Sequence, residues 1–397
     1  MTATNEKEVV IASAVRTPIG SFQGALASLS ASRLGAVAVK EAVKRAGAEP
    51  AQIERVIMGN VLSAGMGQAP ARQAVIYAEL PVSVGAITVN KVCGSGLQAV
   101  MFARREILVG DAEVLVAGGM ESMTNAPYVL PNARAGYRMG NGQILDSMIH
   151  DGLWDPYDNM HMGNCGDLVA EKYGFTREMQ DAFARRSFER AIQAQKAGKF
   201  KAEIVPVSVP SKKGDPVVVE EDEGPKKAQL DKMPSLKPAF SKTGTVTAAN
   251  ASSINDGAAA LVVCSAAAAK RLGLSVLARI VGDATAAVEP KWFTIAPVEA
   301  LAKLYTKTKT KALDWDLYEI NEAFSGVTLA AMKEHGLGED RVNVNGGAVA
   351  LGHPIGCSGA RLLVTLLHAL KDRGKRKGIV TLCIGGGEAV ALGVELM

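Results

Sequence analysis

The stretch Val92-Cys93-Gly94-Ser95-Gly96-Leu97-Gln98-Ala99 places a cysteine between an apolar strand, Ala86 to Asn90, and a helix, Leu97 to Val109. A thiol at a helix N-terminus sits beside free backbone N–H groups and the positive end of the helix dipole, both of which favour thiolate over thiol. Gly94 and Gly96 let the backbone turn sharply and leave room for a substrate carbonyl at the sulfur. Cys93 is therefore a candidate nucleophile, with an inert buried thiol as the alternative reading.

The pattern occurs twice. Cys93 to Gln98 before a helix, then Val114-Leu115-Val116-Ala117-Gly118-Gly119, parallels Cys357-Ser358-Gly359-Ala360-Arg361 before a helix, then Val380-Thr381-Leu382-Cys383-Ile384-Gly385-Gly386. This reads as a duplicated α/β unit. Around the first copy, strands at Val9 to Ala14, Val56 to Asn60 and Val114 to Ala117 join a helix ending at Ala46. Around the second, Ala278 to Gly282, Leu317 to Asn321, Gly378 to Ile384 and Val390 to Leu396 read as strands, and Ser325 to His335 and Ala360 to Lys371 as helices. Such alternation predicts a mainly parallel sheet covered by helices. Two halves packed together bring their glycine turns into one cleft, where Cys93 and Cys383 can meet.

From Glu121 to Ala249 the character changes. Pro127, Pro131, Gly136, Gly140 and Gly142 precede a charged helix, Thr176 to Ala197, and a Lys/Glu/Pro-rich stretch, Ser211 to Lys242. The expected division is a first half at 1–120, an inserted loop domain at 121–249, a return to the first half at 250–274 and a second half at 275–397.

The chain has 397 residues, too many for one simple core, and its 48% hydrophobic content and 41 glycines suit an α/β enzyme. Five cysteines (93, 165, 264, 357, 383) are odd in number and lack CxxC or Cys/His spacing, which argues against a disulfide framework or a metal site. Met1 to Glu8 is polar, and no apolar run reaches membrane-spanning length, so a cytoplasmic protein without a membrane partner is expected. A net charge of +4 leaves no footprint for nucleic acid but suits a phosphate-bearing small molecule.

Three further motifs carry chemistry. Asn345-Gly346-Gly347-Ala348-Val349-Ala350-Leu351-Gly352-His353-Pro354 holds a histidine between glycine and proline, in extended backbone, and imidazole is the usual group for proton transfer near neutral pH. Cys383-Ile384-Gly385-Gly386-Gly387 sets a second thiol at a strand end, beside glycine amides able to face a developing oxyanion. Asn321-Glu322-Ala323-Phe324 ends another strand with an amide and a carboxylate, where α/β enzymes bind ligands.

These motifs together resemble the thiolase family across essentially the whole chain. The resemblance implies a five-layered α-β-α-β-α fold of two βαβαβαββ halves with a loop domain inserted in the first. It also implies that His353 deprotonates Cys93, which takes an acyl group from a coenzyme A thioester, while Cys383 exchanges the proton on carbon. His353 and a water held by Asn321 would stabilise the enolate oxygen, and the N–H groups of Cys93 and Gly385 the thioester oxygen. No separate cofactor is implied, because coenzyme A thioesters are the substrates.

His161-Met162-Gly163 resembles the short-chain acetyl-CoA acetyltransferase branch, which condenses two acetyl-CoA to acetoacetyl-CoA and CoA. Leu153, His161, Met162, Phe240, Ala248, Ser252, Ala323 and Phe324 match positions lining the coenzyme A and acyl pocket of that branch. Around Glu223-Gly224-Pro225-Lys226-Lys227 the usual aromatic and arginine are missing; Lys226 or Lys227 would supply charge without an arginine's planar fork. The missing aromatic argues against a potassium site, and Glu388 stands where relatives often have a small residue. The loop domain resembles the one through which such enzymes form homotetramers.

The rivals are a 3-ketoacyl-CoA thiolase acting on longer chains in fatty-acid oxidation and a non-catalytic acyl-CoA or lipid-binding relative. Retention of Cys93, His353 and Cys383 argues against pure binding. A beta-ketoacyl synthase is disfavoured because Cys383 stands where its second histidine would be.

Overall fold

The computed structural model describes residues 8–211 and 214–397. The polar amino-terminal segment up to residue 7, and residues 212–213 of the Lys/Glu/Pro-rich stretch, lie outside the described residues.

The first half runs β1 (Val9–Arg16), α1 (Ala31–Ala46), β2 (Arg55–Gly59), α2 (Pro70–Tyr77), β3 (Gly85–Val89), α3 (Ser95–Val109) and β4 (Val114–Ser122). The segment that follows carries α4 (Met162–Tyr173) and α5 (Arg177–Lys196), after which β5 (Asn255–Ser265) returns between β4 and β1. The second half runs β6 (Ala278–Ala287), α6 (Ala296–Thr308), β7 (Leu317–Ile320), α7 (Ser325–His335), α8 (Ile355–Asp372), β8 (Lys377–Ile384) and β9 (Glu388–Leu396). Ser30 and Thr176 cap α1 and α5 with side-chain oxygens, while left-handed Gly47, Gly174 and Gly336 close α1, α4 and α7.

The first half has the strand order β3-β2-β4-β5-β1 and the second β7-β8-β9-β6, joined where Val10 and Ile11 of β1 pair with Arg279 and Ala278 of β6. The two orders match as copies of one topology, except that the second half lacks a full third strand. In its place is a single parallel bridge between Tyr318 and Val342. Asn343 at φ 46° and Gly346 at φ 82° turn the chain out of extended backbone, so no strand develops there.

The expectation of a mainly parallel sheet is corrected. Helical crossovers make β2–β3, β2–β4 and β7–β8 parallel, but β4–β5, β5–β1, β1–β6, β6–β9 and β8–β9 are antiparallel. The returning strand β5 comes in after the long inserted segment, and β8 and β9 form a hairpin around Gly385 to Gly387.

Strand residues alternate between two buried faces. Leu115, Ala117, Ala259, Leu261 and Val263 join Val380, Leu382, Val390 and Leu392 around α3 and α8 in the central cluster. Val114, Val116, Ala258, Ala260 and Val262 pack outward on α1 and α2. Ile379, Ala389 and Ala391 pack outward beneath α6. The layers are thus helix, sheet, helix, sheet, helix, with α3 and α8 as the shared middle layer.

Both middle helices begin earlier than the motifs suggested, at Ser95 and Ile355. Glycines weaken a helix, but here contact requires them. A Cβ at Gly96 would stand 3.0 Å from the carbonyl oxygens of Gly356 and Cys357, and one at Gly359 would stand 2.5 Å from the backbone nitrogen of Leu97. Among the described residues no helix is long and apolar enough to cross a membrane.

Candidate active site

The close approach of α3 and α8 brings together the two loops that precede them, one carrying Cys93 and the other His353. Glu121 braces the junction: its carboxylate accepts from Asn60 Nδ2 at 2.8 Å, from the backbone N–H groups of Val61 and Leu62, and from Gly356 N–H at 2.9 Å.

Cys93 follows β3 through a strained corner in which Val92, a β-branched residue, has φ 43°. Ser95 holds that corner, accepting from the Lys91 N–H at 2.8 Å and donating to the Val92 carbonyl at 2.7 Å. Burial pushes the Cys93 thiol up to about 11, against the N–H groups of Gly385 and of Cys93 itself, which face the sulfur. The expectation of a thiolate favoured by the helix end is therefore corrected. Desolvation outweighs the dipole, and the resting group is a thiol.

Cys383 is the penultimate residue of β8 and lies near enough for Cys93 to add to the effect of burial in raising its thiol. The turn beyond it is built from Gly385, Gly386 at φ 92° and Gly387 at φ 91°. A Cβ at Gly387 would stand 2.4 Å from the Val288 carbonyl oxygen.

His353 is buried at the start of the Pro354 turn, and its N–H donates to Asn255 Oδ1 at 3.0 Å. Ser358 Oγ lies 2.6 Å from His353 Nδ1 and donates its own proton to the Pro354 carbonyl at 2.9 Å. With that proton committed, Oγ accepts from Nδ1–H, and Nε2 keeps its lone pair. Burial, aided by the Arg361 cation, pushes His353 down to about 3, so the imidazole is neutral at physiological pH.

Asn321 and Glu322 face opposite ways, as successive residues beyond a strand do. Asn321 Nδ2 lies 3.4 and 3.5 Å from the two ring nitrogens of His353, which places the amide over the ring rather than in line with either nitrogen. Its Oδ1 is buried with no hydrogen-bond partner among the described residues. Glu322 instead accepts from Ser187 at 2.6 Å, Asn343 at 2.8 Å and the Val349 N–H at 3.1 Å, tying α5 to the loop before His353.

One apolar cluster joins Met162, Ala323, Phe324 and Cys383 to Cys165, Ala251 and Phe293, with Phe240 packed against it. His161 stacks on Phe240 with ring centroids 4.7 Å apart, and its Nδ1 caps α4 by accepting from the Gly163 N–H at 3.0 Å. Burial lowers its pKa. Gly163 is required there, since a Cβ would stand 2.2 Å from the Phe240 ring. Leu153 packs on the central cluster that contains Cys93, and the Ser252 N–H donates to the Ala323 carbonyl at 3.0 Å.

Two predicted residues stand apart from that cluster. Ala248 is exposed, and Lys226 is an exposed cation paired with Glu221 at 2.7 Å, with Lys227 paired to Glu223 at 3.1 Å. An open groove of about 680 Å³ along α4, lined by Asn164, Asp167, Glu171 and Thr243 to Thr245, contains none of the four chemical groups.

Sequence reasoning gave no role to Ser95, Glu121, Asn255 or Ser358. Ser358 was visible within the repeated Cys-Ser-Gly motif, and Ser95 within the first. Their partners lie within five residues, a spacing at which serine hydroxyls bond to the turn they sit in.

The family described as "Thiolase, N-terminal domain" matches residues 9–267, and "Thiolase, C-terminal domain" matches residues 274–396. An acetyl-CoA acetyltransferase of Cupriavidus necator is 56% identical over 389 residues, covering 98% of this chain and 99% of its own. Another from Pseudomonas aeruginosa is 53% identical over 387 residues, covering 97% of this chain and 98% of its own. The crystal structure of the Bacillus anthracis acetyl-CoA acetyltransferase superposes with a TM-score of 0.96 at 44% identity, over 98% of this chain and 99% of that one. That of the Acat5 thiolase from Ascaris suum in complex with coenzyme A gives 0.94 at 46%, over 98% of this chain and 100% of that one. With both halves matched and the fold shared from end to end, the chain belongs to the thiolase family.

Proposed function

We propose that this chain is an acetyl-CoA C-acetyltransferase, an acyltransferase that condenses two acetyl-CoA to acetoacetyl-CoA and CoA and cleaves the product in reverse. The observation that carries the mechanism is the pair of N–H groups, from Gly385 and Cys93, facing a sulfur that also neighbours Cys383.

Because Cys93 rests as a thiol and His353 as a neutral imidazole, the proton moves from sulfur to His353 Nε2 as the sulfur attacks the thioester carbonyl. The carbonyl oxygen turns into the N–H groups of Cys93 and Gly385, and the departing CoA thiolate takes the Cys383 proton, leaving Cys383 as thiolate and His353 with Nε2–H. The acetyl group now sits on Cys93.

A second acetyl-CoA gives an α proton to the Cys383 thiolate, and the enolate carbon attacks the acetyl carbon. Its oxygen is held by a donor on His353 and a water on Asn321, whose unpartnered Oδ1 supports that role. Collapse of the tetrahedral intermediate releases acetoacetyl-CoA, and the Cys93 thiolate takes back the proton held by His353.

Met162, Ala323, Phe324 and Phe240 bound a short acyl pocket, with Leu153, His161, Ser252, Ala248 and Lys226 along the coenzyme A path. The stacking of His161 on Phe240 supports preference for a small acyl group. The division at 121–249 belongs to the same reading, as do a cytoplasmic setting and a homotetramer. Exposed Tyr128, Leu130, Met139 and Ile144 in that segment support its role in assembly, and light scattering tests it.

Mass spectrometry with peptide mapping after brief exposure to acetyl-CoA decides the chemistry. An acetyl adduct on Cys93, absent from Cys93→Ala, is expected; adduct formation that survives Cys93→Ala overturns the assignment. Faster turnover of 3-ketohexadecanoyl-CoA than of acetoacetyl-CoA would replace the short-chain reading with the long-chain one.

A further inference from the structure

The loop Asn90 to Ser95 and the turn Gly385 to Gly387 come from opposite halves of the chain and meet over the Cys93 sulfur. Gly94 packs against Ile384, where a Cβ would stand 2.3 Å from Cδ1, and Val92 Cγ1 lies 3.7 Å from a Cβ built on Gly385. A third contact is polar: Lys91 Nζ donates to Glu388 Oε2.

We propose that Lys91 and Glu388 are positioning residues that hold the Gly385 N–H over the Cys93 sulfur. The inference rests on the reading of Cys93 as the acyl acceptor.

The glycine turn has no side chain with which to fix itself, and Gly386 and Gly387 both lie in the left-handed region. Glu388 is the first side chain beyond it, opens β9 and pairs across the hairpin with Ile384. Lys91 stands two residues before Cys93, in a corner whose backbone is strained at Val92. Apolar contacts at Gly94 and Gly385 set how closely the two loops approach, but they have no direction. The ion pair adds one, because its donor and acceptor lie on the two segments that must keep register.

The pair is half-buried, with side-chain exposures of 26% for Lys91 and 39% for Glu388. Burial lowers the Lys91 pKa, in keeping with a cation partly removed from water. A pair so placed contributes little to global stability. Its loss is expected in the rate of a step that uses the Gly385 N–H, not in the melting temperature. Glu388 and Lys91 thus act as one unit.

The test compares wild type, Lys91→Ala, Glu388→Ala and the reversed pair Lys91→Glu with Glu388→Lys. Single-turnover acetylation of Cys93 by acetyl-CoA is followed by mass spectrometry, beside KM for acetyl-CoA and the melting temperature. Loosening one oxyanion donor, rather than deleting it, predicts acetylation about tenfold slower in each single variant, with KM and melting temperature unchanged. The reversed pair should recover to within about threefold of wild type, as an interaction between the two charges requires.

Single variants that acetylate at the wild-type rate, a reversed pair no faster than the singles, or losses that track melting temperature overturn the proposal. Absence of a Cys93 adduct in the wild type is a different failure. It removes the acyl-acceptor reading itself and the inference with it.

Discussion

Nδ1 of His353 lies 2.6 Å from Oγ of Ser358, and that hydroxyl already donates its hydrogen bond to the Pro354 carbonyl. The ring is thereby held with its proton on Nδ1 and its basic lone pair on Nε2. Ser358→Ala releases the ring to the other tautomer and orientation. kcat is expected to fall on the order of 10- to 100-fold, part of the roughly 100- to 10,000-fold that general-base assistance supplies, with little change in KM. Steady-state kinetics with acetoacetyl-CoA and CoA check this, and an unaltered kcat would remove Ser358 from the argument.

The Cys93 thiol, pushed up to about 11 by burial, makes a second expectation. In the free enzyme, alkylation by iodoacetamide should rise about tenfold per pH unit from pH 7 to 9, because thiolate is scarce throughout that range. A plateau near neutral pH, read by peptide mapping, would instead mean a resting thiolate–imidazolium pair.

His353 is held neutral, pushed down by burial to about 3 from the 6.5 of an unperturbed ring. Between those values the unfolded chain binds a proton that the folded chain does not, so this group's contribution falls as pH drops through that window. From pH 7.5 to pH 5 the loss amounts to about 2 kcal/mol, at 1.36 kcal/mol per pH unit. Buried Glu121 and Glu319, pushed up to about 7 and about 8, act with the opposite sign, so the difference between wild type and His353→Asn isolates the histidine's share. Denaturant unfolding of both proteins at the two pH values measures it; equal pH dependence would refute it.

Gly96→Ala puts a methyl 2.9 Å from the Ala360 backbone nitrogen and 3.0 Å from two carbonyl oxygens of α8. These are backbone atoms in a central helix and cannot swing aside. A loss of about 1–3 kcal/mol is expected from the overpacking, together with slower acetylation of Cys93 as α3 shifts. Wild-type stability in a chemical melt would show that the two helices have room to separate.

Much of the chemistry was legible in the residues alone. Gly94 beside Cys93, Gly352 beside His353 and Gly385 two residues past Cys383 marked the candidate reactive groups, since the turn next to each needs a backbone corner that few side chains permit. The repeated motif marked two copies of one unit, and the alternation of apolar strands and helices marked an α/β fold. Local hydrogen bonding and periodicity act within a few residues, so they leave a trace in order and spacing.

What the tertiary structure decided depends on distant groups. Antiparallel pairing arose from where β5 returns, and the second half lost its third strand to left-handed Asn343 and Gly346. Burial, a property of the packed whole, reversed the expected thiolate at Cys93. The brace at Glu121 joins groups up to 235 positions apart, and the Lys91–Glu388 pair joins groups 297 apart. Desolvation and long-range contact have no period along a chain, so they emerge only when the two halves close on each other.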